Sequence, residues 1–244
     1  MKAGRFCPRL APRCKACSGV YPLSARRRVF DVYGPVTTPL SVSAAPSLSA
    51  ELRARTALLH GQIEALLGLP GAIHNRDDYV IWLGRFLGLY APLERQLAAF
   101  SEWGALGLAL PSRSRSSRLA DDLAALGRDP RGVPCTSPAL LPDLPSFAHA
   151  LGARYVLEGA ALGGRVILRD VEARVGAPIA GATQFFGGRR EAVGPMWQSF
   201  QAGLDDFGRA QPQLCADVVT GAERAFRAML AWFAPFCAAA AGRP

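Results

Sequence analysis

From Leu48 onward the apolar positions recur at intervals of three and four, and alternating runs of β-branched residues are almost absent. This period predicts helices and no sheet. A first helix is expected from about Ser49 to Leu67, with Leu52, Leu59, Ile63 and Leu66 on one stripe, Ser47 or Ser49 as its cap, and Gly68 and Pro70 closing it. A second starts after Asn75, carries Asp77 and Asp78 in its first turn and runs through Trp82, Phe86, Leu89, Leu93 and Leu97, with Pro92 expected to kink it. A short helix over 117–126 ends at Gly127. After a proline-rich connector, residues 129–145, a long helix over 146–175 stops at Gly176 and Pro178. Two more follow, around 195–209 and 212–241. The reading is all-α, one multi-helical domain over residues 47–241 with no internal repeat.

Charge changes the picture of the N-terminus. The chain carries +9 at pH 7, which by itself suggests an acidic partner such as nucleic acid. Residues 1–46 account for +7 of it, and residues 47–244 for only +2. The domain therefore has no electrostatic footprint for nucleic acid. Residues 1–46, with Arg26, Arg27 and Arg28 in a row and scattered prolines, have no sustained apolar period and are expected to be a disordered extension. Cys14 and Cys17 form a lone C-x-x-C without the second pair that a zinc site needs. Cys135, Cys215 and Cys237 are odd in number and far apart, which fits reduced thiols and a cytoplasmic protein. Every apolar stretch is broken before about 20 residues, so no membrane span is expected.

His60 is one of three histidines in the chain and stands at the centre of the first helix. A lone helical histidine is more often a surface or hydrogen-bonded core residue than a ligand. Its neighbours alter that balance. Arg53 lies seven residues earlier on the same face, about 10 Å along the axis, and Glu64 lies at i+4, placed to hold the free ring nitrogen. A flat metal-bearing ligand on this face would meet an imidazole at its centre and a cation at its edge.

The segment Tyr155-Val-Leu-Glu-Gly-Ala-Ala-Leu-Gly-Gly has helical spacing, yet Gly159, Gly163 and Gly164 fall within six residues. Each glycine inside a helix costs about 1 kcal/mol relative to alanine, so some 3 kcal/mol of local propensity is given up. Either a neighbouring helix packs against the bare backbone, or a flat ligand does.

Together these stretches resemble the heme oxygenases. Leu52-Arg-Ala-Arg-Thr-Ala-Leu-Leu-His60-Gly-Gln-Ile-Glu64 is similar to their proximal helix, and Tyr155 to Gly164 to their distal helix with its G-x-x-x-G-G pattern. Phe185-Phe-Gly-Gly and Trp197-x-x-Phe200 resemble the bacterial branch associated with bacteriophytochromes, and the order of the elements agrees over about residues 48–236. The resemblance implies a heme-oxygenase-like helical domain with heme between the two helices, serving as both prosthetic group and substrate. It implies His60 as iron ligand, Gly159, Gly163 and Gly164 as the catalytic distal wall, and Arg53, Thr56, Glu64 and Tyr155 as heme contacts; the family's later basic propionate contacts are not matched, since Gly194 and Gln198 stand there, and Arg189, Arg190 and Arg154 are the candidates to replace them. The implied products are biliverdin, carbon monoxide and ferrous iron. Electrons must then come from outside, because the chain has no flavin or nicotinamide fingerprint and no ferredoxin-like cysteine set. A ferredoxin or flavin reductase is the implied donor and a bacteriophytochrome an implied acceptor of biliverdin. The sequence departs from the family at Ala160, where many members carry a carboxylate that organises distal waters. That departure leaves open a second reading, a heme carrier of the same fold that does not turn heme over.

Overall fold

The computed structural model describes residues 46–108, 114–188 and 193–241. The chain divides after Ser43, and all described residues belong to the second unit. The expectation for the basic extension therefore falls on residues outside the description, except for Pro46. Among the described residues there are helices and turns but no strand.

Helix α1 spans Leu48–Leu67. Ser47 caps it by accepting from the Ala50 N–H, while Ser49 turns instead to Asp205 of a later helix, donating from both its backbone N–H (2.8 Å) and its hydroxyl (3.0 Å). Gly68 ends it in the left-handed region at φ 58°, with its N–H on the Glu64 carbonyl. Helix α2, Arg76–Leu97, begins at an Asn75 cap whose side chain accepts from the Asp78 N–H at 2.9 Å, and continues through Pro92. Its Leu83, Leu89, Tyr90, Leu93 and Leu97 are fully buried.

Helix α3, Ser116–Ala125, has no cap from its own preceding residue. Glu94 of α2 does that work across space. Its carboxylate accepts from the Arg115 N–H (2.7 Å), the Ser116 N–H (3.2 Å) and the Ser116 hydroxyl (2.6 Å), satisfying donors that the first turn leaves open. Asp122 repeats the device from α3. Its two oxygens accept the Gln184 and Phe185 N–H groups at 2.8 Å and so start the short helix α5, Gln184–Gly187. Burial pushes the Asp122 carboxyl up, and those two backbone bonds hold it partly down.

The largest interface joins α4, Phe147–Val175, to α7, Cys215–Ala241. Two glycines let the backbones meet. A Cβ on Gly152 would lie 1.8 Å from the Val218 carbonyl oxygen, and one on Gly221 would lie 2.0 Å from that of His149. Helix α6, Val193–Ala210, packs beside α4, and α1 packs on α7 and α6. Phe86 of α2 touches Trp82, Tyr90, Phe185, Phe186 and Phe233, with ring centroids 5.1–6.1 Å apart, forming the aromatic centre of the core. Cys135, Cys215 and Cys237 are free thiols. No described helix is long and apolar enough to cross a membrane.

Candidate functional site

The outer face of α1 carries His60. Its side chain is 56% exposed. The ring stands edge-on to Phe226 of α7, centroids 6.1 Å apart at 80°, and Nδ1 lies 3.4 Å from Glu64 Oε2. The Phe226 edge and the Glu64 carboxylate thus bound the imidazole on two sides. One turn earlier Thr56 is buried and donates its hydroxyl to the Leu52 carbonyl at 2.8 Å.

Tyr155 of α4 brings its hydroxyl near Thr56 of α1 and feels the Arg53 charge. Burial pushes its phenol up, and Thr56 and Arg53 draw it part of the way back. The structure therefore brings Arg53, Thr56 and Tyr155 together at one end of the α1 face. Elsewhere α1 rests on α7 and α6 rather than on α4.

Beyond Tyr155 the glycines separate into two kinds. A Cβ at Gly159 would meet only the Trp197 ring of α6, at 3.8 Å, and one at Gly163 would meet nothing within 4 Å. Leu162 and Val166, on the same side of α4 by helical register, are 43% and 70% exposed. The result is an apolar strip with bare backbone in its middle. Gly164 points the other way. A Cβ there would fall 2.7 Å from the Phe186 carbonyl oxygen, so this glycine is required by the close approach of α5. Helix packing by itself accounts for a glycine here.

Arg154 is held within the core. It is only 2% exposed, and its Nε and Nη2 both donate to Glu158 Oε1, at 2.9 and 2.7 Å, with Nη1 4.0 Å from Glu94. The guanidinium is committed to buried carboxylates behind α4 rather than to the open strip. Arg189 and Arg190 lie outside the described residues. Trp197, Phe226, Leu162 and Val166 join the site without having been assigned a role in it from sequence. Trp197 stacks on Phe200 (6.0 Å, 18°) and approaches Tyr155 at 5.5 Å. Its i,i+3 spacing to Phe200 was the available signal.

The heme oxygenase family model matches residues 46–235. The chain belongs to the heme oxygenase family. A protein of Xanthomonas campestris pv. campestris (strain 8004) named heme oxygenase is 35% identical over 173 residues, covering 70% of this chain and 94% of that relative. The NO- and CO-bound heme oxygenase of Neisseria meningitidis shares the fold with a TM-score of 0.59 at 18% identity, over 78% of this chain and 93% of that one.

For a heme oxygenase the residues present suit the cofactor. An exposed imidazole offers a nitrogen donor, an exposed apolar strip offers a dry surface, and Gly163 leaves room for a flat ring to lie against backbone. Ala160 is exposed and carries no acid.

Proposed function

We propose that heme binds with His60 as its iron ligand and the Gly159–Gly163 strip of α4 as its opposite wall. The reaction of this enzyme is the oxidative cleavage of heme to biliverdin, carbon monoxide and ferrous iron with dioxygen and external electrons. The observation that carries the residue assignment is the exposed His60 imidazole, held by Glu64 and Phe226, together with the open backbone at Gly163. When bound, the heme supplies both the iron that activates dioxygen and the ring that is oxidised.

The chain's own residues orient and shield. Glu64 stands opposite Nδ1 of His60, so Nε2 is the nitrogen offered to iron, and the carboxylate fixes the ring. Arg53 places a cation at one edge, suited to a propionate, and Arg189 and Arg190 are further propionate contacts in this reading. Gly159 and Gly163 remove side chains from the distal plane, while Leu162 and Val166 exclude bulk water. With alanine at position 160, proton delivery to the distal side would not use a carboxylate at that position. The native donor in this reading is a ferredoxin or a flavin reductase, and a bacteriophytochrome is a fitting recipient of the bilin. A carrier without turnover has no observation in its favour.

Titrating the purified chain with hemin tests the ligand assignment. A one-to-one complex with a sharp Soret band is expected, and His60→Ala should weaken or shift it. An identical spectrum and affinity in the variant would remove His60 from the iron.

A further inference from the structure

An open cavity of about 500 Å³ lies between α2 and the connector over residues 128–134, with Phe236 of α7 also lining it. It shares no residue with the heme face. Val80, Leu123, Val133 and Phe236 give it apolar walls, and Arg85 and Arg128 bring two cations to it. Its size is within the range of small-molecule sites.

Arg85 is the informative residue. Its guanidinium is stacked 3.4 Å above the Trp232 ring and 5.4 Å from Phe236, one Nη donates to the Trp232 carbonyl, and the buried Nε has no acceptor. The Trp232 indole N–H donates back to the Arg85 carbonyl at 2.9 Å. The side chain is therefore rigidly held, yet it uses few of its five donors and has no carboxylate partner among the described residues. Its one nearby acidic group is the Cys237 thiol, which burial pushes up and so keeps neutral. The acidic group lining the cavity, Asp129, is already taken, since it accepts from the Arg131 N–H at 3.0 Å and from Arg131 Nε at 3.1 Å. A half-buried, under-used cation beside an open, largely apolar groove gains from an anion that also carries an apolar body.

We propose that this cavity binds an amphipathic carboxylate, with Arg85 pairing with the head group, Arg128 closing over it from the rim, and the apolar body lying along Val80, Leu123 and Phe236. Two sources offer this chemistry, a free fatty acid and the propionate arm of a tetrapyrrole. The assignment is independent of the heme reading.

The test is fluorescence titration of the full chain with 11-(dansylamino)undecanoic acid, before and after saturation with one equivalent of hemin. Saturable one-to-one binding is expected, unchanged by hemin. Arg85→Gln should weaken it about tenfold, as loss of a charge-assisted pair does, and Arg128→Gln about threefold, as suits an exposed cation. The methyl ester of the probe should behave toward the unmutated chain as the acid does toward Arg85→Gln. Gly84→Leu should abolish binding by filling the void. Because a Cβ at Gly84 would meet only Val133 methyl groups, at 3.9 Å, that variant should keep the hemin affinity and the helical circular dichroism of the parent. Displacement by dodecanoate alone assigns the fatty acid, and displacement by biliverdin assigns the propionate. Absence of saturation, indifference to Arg85→Gln and Gly84→Leu, or loss of the probe on adding hemin would each overturn the proposal.

Discussion

Gly163 and Gly164 are adjacent in sequence and both break helix propensity, but the structure gives them opposite sensitivities. At Gly163 a Cβ meets nothing within 4 Å. Gly163→Ala should therefore stabilise the heme-free protein by about 0.5–1 kcal/mol, the ordinary helix-interior gain. For a domain of this size that is a rise of about 2–4 °C in Tm per kcal/mol. At Gly164 a Cβ would fall 2.7 Å from the Phe186 carbonyl oxygen and 3.3 Å from its Cα, both backbone atoms that yield only if α5 moves off α4. Gly164→Ala should cost about 1–3 kcal/mol by overpacking. Thermal melts of the heme-free variants read both signs. Hemin titration then separates ligand from packing. Gly163→Leu, silent or stabilising without heme, should project into the heme strip and weaken hemin about tenfold or more, the equivalent of the same 1–3 kcal/mol of overpacking. Undiminished hemin affinity in Gly163→Leu, or destabilisation of the heme-free Gly163→Ala protein, would refute the assignment of this face to the heme.

Three further predictions concern contacts that shape the site. Tyr155→Phe should cost about 1 kcal/mol by removing a part-buried hydroxyl that lies near Thr56, and a double-mutant cycle with Thr56→Val should be non-additive; full additivity in urea melts would mean that the two hydroxyls do not interact. Gly152→Ala would drive a methyl group to 1.8 Å from the Val218 carbonyl and should lower stability by about 3 kcal/mol or more, seen as a lower urea midpoint, whereas an unchanged midpoint would contradict the close α4–α7 crossing. Asp122 has its folded pKa raised above 3.8, chiefly by burial. The folded state thus holds this proton more tightly than the unfolded chain, and the group's effect on stability becomes less favourable as pH rises from 3.8 through the folded value. Asp122→Asn should remove that slope from the pH profile of urea stability, and a slope retained in full would assign it to other groups.

The long helices were legible because each repeats an apolar period several times and carries local punctuation. Ser47 and Gly68 bound α1, and Asn75 starts α2, as local chemistry predicts. Short elements escaped. The 3₁₀ turn over Glu102–Leu106 and helix α5 have too few residues to show a period, and α5 is started by Asp122, some sixty residues earlier in the chain. Helix α3 likewise takes its cap from Glu94, a partner that no local motif reveals.

At the site, His60, Arg53, Thr56 and Tyr155 were legible as a register along two helices. The packing of Gly164 was not, because it depends on distant chain: Gly164 answers to Phe186, and a glycine pattern reads the same whether backbone or ring lies against it. The main partner of Arg154, Glu158, lies only one turn on. The apolar flank of Leu162 and Val166 became visible only when the helix was seen to leave that side open.

The central claim is tested most directly by reducing the hemin complex in air and identifying the pigment released. The unmutated chain should lose its Soret absorbance and yield biliverdin with one equivalent of carbon monoxide, while His60→Ala should not. Stable heme after many reducing equivalents, or the same bilin yield from His60→Ala, would contradict the account.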